Sequence, residues 1–124
     1  MPVKCLVIGD SFVGKTCMIK RYIEQLERGI PPPTNLSYPY ETTEARLTID
    51  GRNISIYLYE MGEDDFIRFR ALCYSGADIF ILCFSLADSE SYCNVAKKWY
   101  REIRRYCPHT PILLVGTKWI YDTI

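Results

Sequence analysis

The feature that most constrains the fold of this chain is a motif of the form G-x-x-x-x-G-K-T at residues 9–16. It follows a short apolar run at residues 5–8 and precedes a segment of helical periodicity. A glycine-bearing turn between a strand and a helix directs successive backbone N–H groups toward one point, where the helix dipole also favours negative charge. The motif therefore predicts a loop that binds the phosphates of a nucleotide.

Each fixed position of the motif has a physical role. The glycines let the backbone bend and approach a polyphosphate closely. Lys15 would place its ammonium on the β- and γ-phosphates, and the hydroxyl of Thr16 would coordinate Mg²⁺. A chance match at an ordinary helix start is disfavoured by the strand and the helix that flank the motif. The residues expected to bind nucleotide here are Gly9, Asp10, Ser11, Phe12, Val13, Gly14, Lys15, Thr16 and Cys17.

Composition excludes several other classes of protein. The 124 residues suit one domain, and 15 basic residues balance 15 acidic ones. Because the net charge is zero, we expect no bulk attraction to nucleic acid or to an anionic membrane. We expect no secretory signal, because the first residues run directly into the first predicted strand, and no apolar run reaches about 18 residues. Its six cysteines form no C-x-x-C pair, which indicates reduced, mostly buried thiols in a cytoplasmic protein rather than disulfides or a zinc site.

Periodicity predicts strands that alternate with helices. Alternating apolar residues on either side of Asp50-Gly51 indicate an antiparallel hairpin, and a nearly continuous apolar run indicates a central strand covered on both faces. The predicted strands lie near residues 5–8, 43–50, 54–58, 79–84 and 111–115, and the predicted helices span residues 15–26, a short segment ending at Tyr74, and residues 89–106. We therefore predict an α/β domain with a mostly parallel sheet and one antiparallel hairpin.

Several segments resemble the Rho branch of the Ras-like small GTPases, and together they extend over nearly the whole chain. They are residues 4–17 (KCLVIGDSFVGKTC), Pro33-Thr34, residues 79–86 (IFILCFSL), Asn94-Val95, Lys98-Trp99-Tyr100 and residues 107–118 (CPHTPILLVGTK). The resemblance implies a P-loop NTPase fold of the Ras-like G-domain type, which binds GTP or GDP with Mg²⁺, hydrolyses GTP slowly and orders two switch loops around the γ-phosphate. It also implies protein effectors and regulators of the Rho type.

The resemblance assigns further roles outside the loop. Thr34 would be the switch threonine that reaches Mg²⁺ and the γ-phosphate, so that Thr16 and Thr34 are the expected metal ligands. The backbone N–H of Gly62 would contact the γ-phosphate. Thr117 and Lys118 would lie at the base, with the Lys118 side chain packed along it.

The chain departs from the family where the second switch should begin. Family members usually carry Asp-Thr-Ala-Gly-Gln, whereas this chain has Tyr59-Glu60-Met61-Gly62-Glu63. Two alignments are open: Glu60 replaces the aspartate with one residue lost, or Tyr59 stands there in register. Glu63 takes the place of the water-orienting glutamine, and its carboxylate can only accept hydrogen bonds. Glu63 is the candidate catalytic residue, and a solvated acidic loop with Asp64 and Asp65 is the simpler interpretation.

Other departures affect the phosphate loop, the base and the end of the chain. Ser11 replaces a glycine, and its side chain would crowd the attacking water and an arginine finger. The base-reading motif N/T-K-x-D becomes Thr117-Lys118-Trp119-Ile120, in which Ile120 cannot accept hydrogen bonds from guanine, and Asp122 lies two residues too late. We also expect residues 1–124 to form an incomplete G domain that lacks the last strand, the last helix and a lipid anchor. Apolar sides of residues 5–8 and 54–58 would then lose part of their cover.

These observations predict a GTP-binding signalling switch with slow or impaired hydrolysis. A second hypothesis is a catalytically inactive GTPase-like module that binds effectors or regulators, and a third is a truncated or alternatively spliced product with little stable structure. Lys15 and Thr16 favour the switch, whereas Ile120 and the altered residues 59–63 favour the alternatives. Another P-loop enzyme, such as a small-molecule kinase, fits less well because the later segments match the GTPase branch closely.

Overall fold

The structure, a computed structural model, describes residues 2–11, 13–27, 41–62 and 67–118. In these residues strands are interspersed with helices, and two consecutive strands form a hairpin. The strands are β1 (Pro2–Gly9), β2 (Glu41–Ile49), β3 (Arg52–Gly62), β4 (Ile79–Ser85) and β5 (Ile112–Thr117). The helices are α1 (Lys15–Glu27), α2 (Ile67–Tyr74), α3 (Ser89–Asn94) and α4 (Tyr100–Tyr106), and a π-helical turn at Val95–Trp99 joins α3 to α4.

The five strands form one sheet in the order β2-β3-β1-β4-β5. β1 pairs in parallel with both β3 and β4, and β4 pairs in parallel with β5. β2 and β3 are antiparallel, and they are joined through Asp50 and Gly51, whose φ angles of 52° and 76° suit a two-residue hairpin turn. The predicted α/β fold, with a mostly parallel sheet and one antiparallel hairpin, is confirmed.

The central strand β1 is buried on both faces. Because successive side chains of a strand point to opposite faces, Cys5 and Val7 join a core cluster with Ile19 of α1, while Leu6 and Ile8 join the opposite cluster, which the other helices cover. All four of these β1 side chains are at most 3 % exposed. The expectation that residues 5–8 lose cover is therefore wrong, because helices pack on both sides of this strand.

Parallel pairing brings the carboxyl ends of three strands to one edge of the sheet. Gly9, at the end of β1, lies opposite Gly62 of β3 and Cys83 of β4. The sequence predicts a strand near residues 54–58, but β3 continues through Gly62 because Met61 and Gly62 pair with the end of β1 and the Met61 side chain is buried. Ligands of open α/β sheets bind outside this kind of edge.

The segment predicted as one long helix at residues 89–106 contains the π turn. Asp88 caps its start, since the Asp88 carboxylate accepts a hydrogen bond from the backbone N–H of Glu90 at 3.0 Å. Further along, the N–H of Tyr100 donates to the carbonyl oxygen of Val95, five residues earlier. Apolar residues at spacings of three and four do not distinguish such a turn from a continuous α-helix.

The cysteines are free thiols whose exposure varies. Cys5 and Cys83 are buried, and Cys17 and Cys93 are exposed, with the remaining two in between. Within the described residues, no helix combines the length and the apolar character that a membrane span requires.

Candidate nucleotide-binding site

The loop between β1 and α1 passes close to its neighbours. At Gly9, a Cβ atom would lie 2.4 Å from the carbonyl oxygen of Cys83, so a larger residue does not fit. Gly14 has a φ of +97°, a backbone conformation that side chains rarely allow. Both glycines of the motif are thus needed for the path of the loop.

Lys15 begins α1, and its side chain is buried, with 7 % exposed. Its ammonium donates to the carbonyl oxygens of Gly9, at 2.8 Å, and Asp10, at 2.7 Å. It also lies close to β3, because a Cβ atom at Gly62 would be 3.1 Å from the Lys15 Nζ. The first turn of α1 carries no acidic side chain. The ammonium and the helix N-terminus together therefore form a positive site at the edge of the sheet.

Thr16 contacts the end of β3. Its hydroxyl donates to the carboxylate of Glu60. Tyr59 instead packs against the core cluster on the other face of the sheet. Of the two alignments that the sequence leaves open, this contact favours Glu60 as the acidic residue beside Thr16. Mg²⁺ is usually bound through one or two protein oxygens, with phosphates and waters as further ligands, so this hydroxyl and carboxylate fit such an ion.

The end of β5 borders the loop from the opposite side. The Thr117 hydroxyl donates to the carbonyl oxygen of Val13, which is 104 residues away in sequence, and lies 3.0 Å from the carbonyl oxygen of Phe84. Lys118 has a positive φ of 56°, and a Cβ atom at Gly14 would be 3.5 Å from the Lys118 Cε. The structure thus brings Thr117 and Lys118, the residues expected at the base, next to the phosphate loop.

The side chain of Asp10 is buried and contacts the helical segment that follows β4. Asn94 Nδ2 donates to one carboxylate oxygen and Trp99 Nε1 donates to the other, each at 2.7 Å. No local pattern in the sequence signals these contacts, because the partners lie 84 and 89 residues after Asp10. Asp10 therefore contributes its backbone to the loop, while its side chain anchors the loop to the protein.

A sequence model of the Ras family matches residues 4–122, which is nearly the whole chain. The chain belongs to the Ras family. Its mixed sheet with one antiparallel pair fits the Ras-like G domain. Ras-family GTPases bind guanine nucleotides, typically together with Mg²⁺.

Next to the nucleotide edge of this Ras-family domain, a buried network joins α2 to α4. Arg70 forms a bidentate ion pair with Glu102, with N–O distances of 2.8 Å and 2.6 Å, and the Tyr74 hydroxyl donates to the same carboxylate. Glu102 holds the pKa of Arg70 above its ordinary value, whereas burial, followed by Glu102, raises the pKa of Tyr74. Arg70 also donates to the carbonyl oxygen of Gly62 at 3.3 Å.

Two other features of the Ras-family site concern the chemistry of its side chains. Cys83 lies opposite Gly9, and burial raises the pKa of its thiol to about 12 although Lys15 acts in the opposite direction. The thiol is therefore protonated at neutral pH and unsuited to nucleophilic attack. Across the part of the chain that the structure describes, no three His, Cys, Asp or Glu side chains cluster as a metal site.

Some residues predicted for the site lie outside the described residues. They are Phe12, Thr34, Glu63, Trp119, Ile120 and Asp122. Of the remaining predicted residues, Ser11 is half-buried in the turn after Asp10, and Cys17 exposes its side chain from α1.

Proposed function

We propose that this Ras-family chain is a Rho-like GTP-binding signalling switch that hydrolyses GTP slowly. The main support for this proposal is the geometry at the N-terminus of α1. There the Lys15 ammonium lies between the loop and β3, and the Thr16 hydroxyl contacts Glu60. A buried ammonium beside a helix N-terminus suits a polyphosphate. The Rho branch is supported by the segments at residues 79–86 and 107–118.

In this proposal the chain binds the phosphates mainly through backbone N–H groups of residues 9–17, through Lys15 and through Gly62. Thr16 and Thr34 would hold Mg²⁺, and Glu60 would orient the Thr16 hydroxyl. When bound, the ion would supply positive charge that offsets the negative charge of the phosphates. Thr117 and Lys118 border the base.

Two residues of the sequence, Glu63 and Ser11, support the proposal of slow GTP hydrolysis. A glutamine at position 63 could donate to a phosphate oxygen and accept from the attacking water, whereas the carboxylate of Glu63 can only accept. Ser11 adds a side chain where the attacking water and an arginine finger need space. Ras-like GTPases without an activating protein already turn over at only about 10⁻⁴ s⁻¹. We therefore expect a lower rate here, with signalling through Rho-type effectors and regulators in the cytoplasm.

Calorimetric titration with Mg·GDP and Mg·GTP tests nucleotide binding. The parent should bind, and Lys15→Ala should weaken binding at least about tenfold, which corresponds to about 1.4 kcal/mol. Lys20→Ala, the same change further along α1, is the matched control and should bind like the parent. Absence of Mg²⁺-dependent binding in the parent, or equal affinity in Lys15→Ala, would contradict the proposal.

A second candidate is an interaction module that binds effectors or regulators with little or no nucleotide. Ile120 favours this candidate, because a site that hydrogen-bonds the guanine edge needs an acceptor at this position. Competition between GTP and ATP tests the point. If nucleotide binds, the preference for GTP should be small in the parent and larger in Ile120→Asp. If neither protein binds nucleotide, the interaction module becomes the better description.

A further inference from the structure

The carboxylate of Asp10 is clamped by two donors from one helical segment. Asp10 is the first residue after β1, and its side chain is only 8 % exposed. Asn94 donates to Oδ2 and Trp99 donates to Oδ1, both at 2.7 Å. Each carboxylate oxygen thus has its own N–H partner, which fixes both the position and the rotation of the group.

The π turn explains how residues five positions apart reach the same carboxylate. In an α-helix, Asn94 and Trp99 would be rotated by about 140° relative to each other around the axis. A π turn closes its hydrogen bond over five residues, here from the Tyr100 N–H to the Val95 carbonyl oxygen, and so widens the turn. Asn94 precedes this turn and Trp99 ends it, and both side chains reach Asp10.

Trp99 is held rigidly as a donor. Its side chain is fully buried in the core cluster that includes Leu6 and Ile8 of β1. The Arg70 guanidinium lies 5.2 Å from the ring centroid, and the Lys98 ammonium lies 4.5 Å from it. These cations add to the apolar packing that sets the orientation of the ring, and therefore the direction of its N–H.

Fixing Asp10 has a consequence for the phosphate site, because the Asp10 backbone carbonyl accepts a hydrogen bond from the Lys15 ammonium at 2.7 Å. We propose that Asn94 and Trp99 are positioning residues of the phosphate site, acting through Asp10 on the loop and on Lys15. This inference rests on the proposed nucleotide binding. The π turn places both donors against the one carboxylate of Asp10.

Exchanging the carboxylate and the amide between positions 10 and 94 tests these hydrogen bonds without changing the size of the side chains. Asn94→Asp places two carboxylates against each other and should weaken Mg·GDP binding by roughly tenfold or more in calorimetry. The double variant Asp10→Asn with Asn94→Asp again pairs one amide donor with one carboxylate acceptor between these two positions. The amide oxygen now at position 10 can still accept the hydrogen bond from Trp99 Nε1. The double variant should recover most of the lost affinity. Recovery depends on this specific pairing, which a general loss of packing would not show.

Trp99→Phe provides a second, independent variant, because it keeps a ring in the core but removes the N–H donor. It should also weaken Mg·GDP binding by roughly tenfold, whereas Tyr100→Phe, an exposed aromatic one residue later, should leave the affinity unchanged. Thermal unfolding of each variant identifies those that remain folded. If the parent binds and folded Trp99→Phe and Asn94→Asp bind equally well, this inference is wrong while the proposed function stands. If the parent binds no guanine nucleotide, both fail.

Discussion

At the residue scale, Lys15 and Thr16 are neighbours that serve different parts of the site. Adjacent residues of a helix are rotated by about 100°, so one side chain reaches the carbonyl groups of the loop while the next reaches β3. The contact with Glu60 bears on the two open alignments, because it places a carboxylate beside Thr16, whereas Tyr59 packs on the other face of the sheet. A glutamate carries one more methylene than an aspartate, and here its carboxylate reaches the Thr16 hydroxyl.

The role of Glu60 is testable through the Mg²⁺ dependence of binding. Glu60→Ala removes the acceptor beside Thr16, so it should weaken nucleotide binding several-fold in Mg²⁺ and have little effect when a chelator removes the ion. Tyr59→Phe should behave like the parent in both conditions. Calorimetry with GDP, with and without chelator, measures this difference. Equal Mg²⁺ dependence in Glu60→Ala and the parent would favour the other alignment.

Two single positions test the proposed slow hydrolysis. Ser11→Gly opens the loop, and Glu63→Gln restores a group that both donates and accepts. The double variant should therefore release phosphate faster than the parent, by on the order of tenfold or more, given the range of effects of positioned groups on such rates. Single-turnover phosphate release from preloaded protein measures this rate. A parent that already turns over at the usual family rate would show that Glu63 supports hydrolysis.

At the scale of elements, a buried ion pair between Arg70 and Glu102 joins α2 to α4. Both side chains are nearly inaccessible, with 7 % of Arg70 and 8 % of Glu102 exposed. Removing one charge from a buried pair leaves the other without compensation. Glu102→Gln should therefore lower the free energy of unfolding by about 3 kcal/mol. Urea denaturation measures the loss. Glu90→Gln, a change at an exposed position in α3, should alter the free energy of unfolding by less than about 0.5 kcal/mol.

An apolar replacement of the whole pair distinguishes charge from packing. Arg70→Met with Glu102→Leu removes both charges together, so this double variant should be more stable than Glu102→Gln. Similar unfolding midpoints for Glu102→Gln and Glu90→Gln would mean that the ion pair contributes nothing measurable to stability.

The elements themselves were largely predictable, because their signals are local. The motif at residues 9–16 fixes the junction of β1 and α1, and Asp50-Gly51 marks the hairpin. The π turn was not predictable, since the apolar spacing around it fits an α-helix. The clamp on Asp10 and the pair of Arg70 with Glu102 join residues far apart in sequence, and no local pattern encodes which partner such a side chain meets. The sequence predicts Thr16 for the site, but it leaves open whether Glu60 or Tyr59 stands in place of the family's aspartate.

At the scale of the whole molecule, the nucleotide edge is assembled from segments that the parallel sheet brings together. β1 provides Gly9, β3 provides Glu60 and Gly62, and β5 ends at Thr117 beside the loop. The surface of β5 is less covered than the centre of the sheet, since Leu113 and Leu114 are each about half exposed. The site therefore depends on the pairing of the whole sheet, and global stability bears directly on nucleotide binding.

That stability should fall at alkaline pH. Burial raises the pKa of Cys5 from 9.0 to about 11 and that of Cys83 from 9.0 to about 12, and it also raises the pKa of Tyr74. Between pH 9 and 11 the unfolded chain loses these protons while the folded chain keeps them. The folded state then binds more protons than the unfolded state, so the free energy of unfolding decreases as pH rises. Below pH 9 the stabilisation from these protonated groups is fully present.

Urea denaturation under reducing conditions, repeated from pH 7 to pH 11, measures this dependence. These groups should leave the free energy of unfolding nearly unchanged up to about pH 8.5. Above that pH, the free energy should fall by as much as about 1.4 kcal/mol per pH unit for each thiol. Cys5→Ala should be less stable at neutral pH but show a shallower decline, because one titrating thiol is gone. Cys93→Ala, at an exposed position, should keep the slope of the parent. A free energy of unfolding that stays flat from pH 8 to pH 11 would show that the buried thiols do not control the alkaline stability of this domain.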